Sequence, residues 1–547
     1  MWYAGYVEHS LCKKQMATVR IKQGVLEGSV QDGIYSFLGL PYSEPPTGDR
    51  RWRPASSPPA WEGVRDATRF GKAAIQIVDT GVELGAESSE DCLYLNIWSG
   101  SLDPSAQQPV MVWIHGGGFL NGSSSMDVYS GQNLARRGVV VVSVNYRLGA
   151  FGFLRHPEAG GNFAVSDWVA ALKWVSENIQ MFGGHPQNVT IFGQSAGAVA
   201  VRTLLCTPAA RGLFHRAIIQ SAGFEDYAAT PSPNSERVNA TSEKFFNLLG
   251  SQDLDVLRRI PTEQIRVTSL TLCGTRPPPG YLHSPANLVW YPAPDDEVVM
   301  RDFSGWDEQV PVLFGCTQHE ARAFWRPTGL HTAPGQEPSE IYTVDTLANM
   351  SKVLARGGDQ EMMSYFSDGK FSPYEALTEL CSAAIWMEPA KATYHRFSAL
   401  NRKSYSYIFS RISPATHRSG MLAYHGAEIP YIFGNVSRNG ALKPWFGRKT
   451  SVVDVGPYPV DKDFDAIDVQ IANDIQNAWV TFAQTGTPQF SDGSPWPNCD
   501  TRDMKLTAIG DKMEAKHWDT DRVVSILSSL RGQTRDCICV VKIKCTT

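Results

Sequence analysis

The sequence predicts an α/β fold, a large and mostly parallel central sheet with helices on both faces. Three observations carry this. Residues 110–114 and 139–144 are continuous apolar runs, the pattern of strands buried on both faces. Residues 168–175 place apolar side chains at helical spacing. Strand-like and helical stretches alternate along the chain, which favours parallel neighbours joined by crossovers.

Taken in order, residues 1–18 read as an N-terminal arm, 19–530 as a single domain and 531–547 as a C-terminal tail. Residues 19–40 suggest hairpin strands, the first leading to a turn at Gly24 and the second running from Gly33. Residues 41–59 are rich in proline and arginine and read as an ordered loop. Residues 92–98 form a further strand candidate. The apolar run 189–192 is a strand that ends just before Ser195, and the small residues 196–205 continue as a helix. From about 228 to 294 the chain is irregular, with Arg276-Pro-Pro-Pro-Gly280, and reads as a helical insertion roofing the site. Residues 311–315 and 404–409 resume the sheet, and 467–484 is a late amphipathic helix. The tail carries Cys537, Cys539 and Cys545 with alternating polarity: an edge strand or a frayed end, with a metal or redox site as the alternative.

The composition is that of a globular protein. Of 547 residues, 42% are hydrophobic and 19% charged, enough to bury a large core. A net charge of −5, from 50 basic and 55 acidic residues, gives no electrostatic ground for nucleic acid or an anionic membrane as partner. No apolar stretch is long enough to span a bilayer. The first residues lack the apolar core of a secretion signal, and the ten cysteines lack the spacing of a disulfide scaffold. The expectation is a cytoplasmic protein with mostly free thiols.

The chemistry centres on Gly193-Gln194-Ser195-Ala196-Gly197. A serine between strand and helix is held out on a strained turn, and its flanking glycines avoid collision with the neighbouring elements. The helix behind it directs its amide dipoles toward developing negative charge. Gln220-Ser221-Ala222-Gly223 also comes after an apolar run, but Ile219 stands where the first glycine should be. Ser221 therefore reads as a strand-end turn residue without the tight elbow. A serine nucleophile needs a base, and the base an orienting acid. Among the histidines beyond Ser195, His425 stands out in Tyr424-His-Gly-Ala-Glu-Ile-Pro430, beside a flexible glycine. Glu320 lies a short turn beyond a strand and is one of several acids placed to reach it. His115-Gly116-Gly117-Gly118-Phe119 comes directly after the strand at 110–114; its glycines let backbone amides approach a reacting carbonyl. A phosphate cradle is disfavoured because no Gly-Lys-Ser/Thr comes after the glycines.

Together these stretches resemble the type-B carboxylesterase/cholinesterase-like family of the α/β-hydrolase superfamily. The likeness includes Phe37-Leu-Gly-Leu-Pro-Tyr-Ser-Glu-Pro-Pro46, Ser89-Glu-Asp-Cys-Leu-Tyr-Leu-Asn96, Asn145-Tyr-Arg-Leu-Gly149, Asn188 to Gly197, His425-Gly-Ala-Glu428 and Trp479-Val-Thr-Phe-Ala-Gln-Thr-Gly-Thr-Pro488. It runs from about residue 18 to 520. The resemblance implies Ser195 as nucleophile, His425 as base and Glu320 as orienting acid. It implies an oxyanion hole from the backbone N–H groups of Gly117, Gly118 and Ala196. It also points to Phe119, Gln194, Trp290 and Tyr291 around the substrate, although Phe119, Trp290 and Tyr291 read equally as core. No metal or organic cofactor is implied, and the expected partner is a small-molecule ester.

The departures narrow this. Family members usually pair the cysteine at position 92 with one about twenty residues earlier, where this chain has Ala74; Ser251 stands where a second family cysteine often lies. Residues 77–89 hold no aromatic side chain, whereas cholinesterases place a tryptophan there for a quaternary cation. Gln194 stands where cholinesterases carry a glutamate. A choline ester is therefore not the expected substrate. Arg322 and Arg326 could meet an anionic substrate or be solvated and salt-bridged. The expected activity is hydrolysis of a small to medium-sized, uncharged ester through an acyl-enzyme. Transfer, lactonase or cyclase chemistry with the same triad remains open, as does a non-catalytic binding module.

Overall fold

The computed structural model describes residues 15–77, 84–224, 235–273, 289–295, 297–300, 310–325, 342–355, 357–400, 402–436, 464–518 and 521–531. Thirteen strands among them form one sheet: β1 (Gln15–Ile21), β2 (Gly24–Gln31), β3 (Ile34–Pro41), β4 (Val64–Asp66), β5 (Tyr94–Ser99), β6 (Gln108–Ile114), β7 (Val140–Val144), β8 (Gly184–Gln194), β9 (Arg216–Gln220), β10 (Val312–Thr317), β11 (Ser404–Phe409), β12 (Lys505–Ile509) and β13 (Met513–His517). Their order is β1-β2-β3-β5-β7-β6-β8-β9-β10-β11-β12-β13, with β4 beside β2. From β7 to β12 every neighbouring pair is parallel. Both margins are antiparallel, apart from the short β4, which runs parallel to β2.

The continuous apolar runs feed two cores at once, because successive side chains of a strand point to opposite faces. Val110, Val112 and Ile114 join one core, and Met111 and Trp113 the other. The first core takes Trp168, Leu172 and Val175 of the helix Phe163–Asn178, and Val201 and Leu204 of the helix Ala196–Leu205. The second takes Ile471, Ile475, Trp479 and Phe482 of the helix Ala466–Thr485. Asp465 and Asp468 form a reciprocal capping box at that helix's start, and Gly486, at φ 74°, ends it. Burial also demands paired charge. Arg147, just beyond β7, meets Asp167 at 2.6 Å, with side chains 3% and 0% exposed.

Two boundaries differ from expectation. β1 begins at Gln15, so residues 15–18 belong to the sheet and not to the arm. Main-chain pairing to β2 fixes them (Gln15 opposite Val30, Thr18 opposite Glu27), while Gln15, Met16 and Thr18 are exposed and leave no apolar pattern. At the other end, Arg531 closes the helix Arg522–Arg531. The rest of the arm and the tail from 532, with its three cysteines, lie outside the described residues. So does the proline run at 276–280. The helices Ser235–Leu249, Leu254–Arg259 and Thr262–Cys273 occupy the described part of the expected insertion. Cys92 is a buried free thiol, as are four of the other five described cysteines.

Candidate active site

Ser195 lies between the end of β8 and the helix Ala196–Leu205, at φ 57° and ψ −125°. This backbone is strained for a non-glycine residue, and surrounding contacts must hold it. Its N–H donates to the carbonyl of Gln220 on β9 at 2.9 Å. The flanking glycines are required by close approach. A Cβ on Gly197 would lie 2.0 Å from the carbonyl oxygen of Ile114, and one on Gly193 2.5 Å from that of Gly197. The helix can therefore rest directly on the sheet, with Ser195 partly exposed at its amino end.

Ser221 corrects the sequence reading in one respect. It too has φ 57°, although Ile219 replaces glycine. The same strained backbone is therefore reached without a glycine two residues before the serine. Ser221 is 0% exposed, and its hydroxyl has no hydrogen-bond partner among the described residues.

Glu320 and His425 come together. His425 Nδ1 lies 2.5 Å from Glu320 Oε2, with side chains 7% and 0% exposed. Glu320 sits three residues beyond β10. Its other oxygen accepts the Thr317 N–H at 2.8 Å. The His319 N–H donates to the Ala423 carbonyl at 2.9 Å, tying the acid's turn to the loop that carries His425. Phe324 and Trp386 pack on the imidazole, with ring centroids 5.1 and 5.5 Å away. Ser195 and His425 are not hydrogen-bonded. The imidazole's second nitrogen, Nε2, instead lies 3.2 Å from Nε2 of Gln194.

The glycine loop passes over Ser195: a Cβ on Gly116 would come 3.1 Å from Ser195 Cβ. Gly117 and Gly118 have φ of 110° and 62°, a backbone that glycine adopts without penalty, and Phe119 continues it at φ 61°, strained for a non-glycine residue. Among the described residues no backbone carbonyl accepts from the N–H groups of Gly117, Gly118 or Ala196. His115 is held below this loop, stacked on Tyr146 at 4.5 Å. Burial pushes its imidazole down to about 4, so it is neutral at physiological pH.

The residues expected around a substrate divide. Gln194 touches the imidazole. Phe119 is fully buried and packs on Phe153 and Trp168, fixing the glycine loop to the core. Trp290 is edge-on to Phe245 and donates to the Ser269 carbonyl at 3.4 Å. Tyr291 lies under the Arg237 guanidinium. Both are core residues of the helical insertion in these contacts, the second of the two readings the sequence left open. Arg322 donates to the Gly420 carbonyl at 2.6 Å and stacks on Tyr374, a structural engagement. Arg326 lies outside the described residues.

Sequence reasoning gave no role to Glu428, Phe324 or Trp386. Glu428 is 1% exposed, and its Oε1 accepts from Gln220 at 3.4 Å. Burial, and then the neighbouring Glu320 charge, push its carboxyl up to about 8, so it keeps its proton at neutral pH. Its spacing three residues after His425 was the available signal. Trp386 lies on a π-helical turn, Ala383–Met387, and donates to the Ser221 carbonyl at 2.9 Å. No local pattern marks it.

The strand order, with a serine elbow at the carboxyl edge of the parallel strands, defines an α/β hydrolase. Within that class the chain belongs to the carboxylesterase family, whose family model matches residues 15–525. It is 32% identical over 507 residues to a phenmedipham hydrolase of Pseudarthrobacter oxydans, covering 89% of this chain and 94% of that protein. It is 34% identical to a fumonisin B1 esterase of Sphingopyxis macrogoltabida, covering 89% and 85%. A solved carboxylesterase of Geobacillus stearothermophilus superposes with a TM-score of 0.75 at 30% identity, over 93% of this chain and 99% of that one. The protein is a carboxylesterase-type hydrolase that acts on esters. Among the described residues, no helix is long and apolar enough to cross a membrane.

Proposed function

We propose that this protein hydrolyses small to medium-sized, uncharged carboxylic esters through Ser195, His425 and Glu320, with an acyl-enzyme intermediate. The observation that carries the reading is the buried 2.5 Å Glu320–His425 pair facing the loop-covered elbow of Ser195. Glu320 takes the Nδ1–H of the neutral imidazole, leaving a lone pair on Nε2. Ser195 attacks the ester carbonyl as Nε2 takes its proton. The N–H groups of Gly117, Gly118 and Ala196 receive the oxyanion; each such donor typically contributes about 10²–10³ in rate. His425 then protonates the leaving alcohol, and the acyl group passes to Ser195. Water, deprotonated by His425, releases the acid.

Phe324 and Trp386 against the imidazole support an apolar, uncharged substrate region. The names of the relatives, a hydrolase and an esterase, support water as the acyl acceptor. The continuous sheet from β1 to β13 supports reading the body of the chain as one domain. Ser195→Ala is expected to abolish turnover of p-nitrophenyl acetate and labelling by an organophosphonate, with thermal unfolding unchanged. Undiminished turnover would refute the assignment.

A further inference from the structure

We propose that Gln76 is a positioning residue for the oxyanion hole: its carboxamide clamps Gly122 and so fixes the direction of the Gly118 N–H. The inference rests on the reading above, in which the glycine loop receives the oxyanion, and deepens it.

Gln76 comes from a separate loop, yet it holds both polar groups of one residue at the end of the glycine loop. Its Oε1 accepts the Gly122 N–H at 2.7 Å, and its Nε2 donates to the Gly122 carbonyl at 3.1 Å. One donor and one acceptor on the same residue admit a single orientation of the amide. The Ala74 carbonyl, 2.8 Å from the same Nε2, supports that orientation. Among the described residues neither polar group of Gly122 has another partner. The next residue adds a main-chain bond, from the Ile77 N–H to the Leu120 carbonyl at 2.8 Å.

A trans peptide unit is planar and its N–H and C=O point in opposite directions, so fixing one end aims the other. The Gly122 N–H, held by Gln76, sets the Asn121–Gly122 unit. The Leu120 carbonyl, held by Ile77, sets the Leu120–Asn121 unit, whose N–H donates to the Gly117 carbonyl at 3.1 Å. The Leu120 N–H reaches that carbonyl as well, at 3.0 Å. The Gly117 carbonyl is one end of the Gly117–Gly118 unit, and the other end is the Gly118 N–H. The turn has no slack to absorb a displacement. A Cβ on Gly117 would stand 2.1 Å from the Asn121 carbonyl oxygen, and one on Gly122 2.7 Å from that of Gly116. A shift of Gly122 therefore passes to the N–H of Gly118.

The test uses p-nitrophenyl benzoate and p-nitrophenyl thionobenzoate, the same ester with sulfur in place of the carbonyl oxygen. Both need the same nucleophile and base. Sulfur accepts hydrogen bonds weakly, so only the oxygen ester gains fully from aimed N–H groups. The readout is the ratio of the two kcat/KM values, in which the titration of the base cancels. Gln76→Met removes the clamp at similar volume at a half-buried position. It should lower the ratio about tenfold, a part of the roughly 10²–10³ that a whole donor contributes. Gln76→Glu keeps an acceptor for the Gly122 N–H but turns a carboxylate oxygen toward the Gly122 carbonyl. Its ratio should be low at neutral pH and recover as acid returns a proton to that oxygen. An unchanged ratio in Gln76→Met, with both esters slowed equally or not at all, would overturn the proposal. So would a Gln76→Glu ratio equal to that of the wild type at every pH. A wild type without preference for the oxygen ester would instead overturn the glycine loop as oxyanion hole, and this role with it.

Discussion

Gly197 is where the elbow is most exposed to a single atom. It is the second residue of the helix behind Ser195, and a Cβ there would stand 2.0 Å from the Ile114 carbonyl oxygen and 2.9 Å from that of His115. Ordinary contact begins at 3.4 Å, so Gly197→Ala must open a gap of about 1.4 Å, the difference between 3.4 and 2.0. Neither obstacle can rotate away, because both are main chain at the end of a central strand. Overpacking of this kind costs about 1–3 kcal/mol, or more. The better helix propensity of alanine returns at most about 1 kcal/mol. The net loss of stability should be modest and the kinetic loss large, since a displacement of about 1 Å in positioned groups costs on the order of 10² in rate. The assay is kcat/KM for p-nitrophenyl acetate, with thermal unfolding measured on the same preparation. About a hundredfold fall in kcat/KM with a folded protein is expected. Wild-type rate at wild-type stability would show that the helix is not seated by this glycine.

Buried charge gives three further outcomes. Glu320→Gln should lower kcat by about 10⁴, because an amide can present the wrong partner to Nδ1 and leave the imidazole in the wrong tautomer; a loss below about tenfold would argue against Glu320 as the orienting acid. Glu428→Gln should flatten the pH dependence of stability. The carboxyl is raised to about 8, so its contribution is full below the ordinary carboxylate range and is lost as pH rises through about 8. The wild type should lose more thermal stability than the variant between neutral and alkaline pH, and parallel curves would refute this. Arg147→Ala strands Asp167, which is 0% exposed, and should cost about 3–5 kcal/mol by denaturant titration; an unchanged midpoint would show the pair to be dispensable.

How much was legible depended on whether the signal was local. The central strands were readable because burial on both faces leaves an unbroken apolar run, as at 110–114, whose alternate residues enter the two cores. The start of β1 was not, because edge pairing is main-chain work and Gln15, Met16 and Thr18 are exposed. The elbow was legible in Gly193 and Gly197, since close approach admits one residue type. Glu320 and His425, 105 positions apart, could be joined only by family likeness; nothing in their flanking residues states that the two turns meet. The groups that set the environment of the pair were the least legible. Phe324, Trp386, Gln220 and Glu428 act through contacts made across elements, and an aromatic or a glutamine in sequence carries no mark of the ring or carboxylate it will meet.

The two strand-end serines show why backbone strain alone does not identify a nucleophile. Ser195 and Ser221 share φ 57°, and each donates its N–H to the carbonyl of the next strand, at Gln220 and Gly315 respectively. The chain just beyond each serine separates them. Ser195 begins a ten-residue helix and has a glycine loop passing above it; it is partly exposed, at the positive end of a dipole. Ser221 runs on into Ala222 and Gly223, has no helix behind it among the described residues, and is sealed by Trp386, which donates to its carbonyl. The residues before the two serines divide in the same way. Gln194 and Gln220 are paired across β8 and β9, and each reaches the loop 425–428, but Gln194 meets the imidazole and Gln220 meets the protonated acid. A strained serine becomes a candidate nucleophile only where the same strand end also meets an imidazole, a helix dipole and solvent. In this sheet the end of β8 meets all three, whereas at the end of β9 the same backbone is closed in by a buried tryptophan.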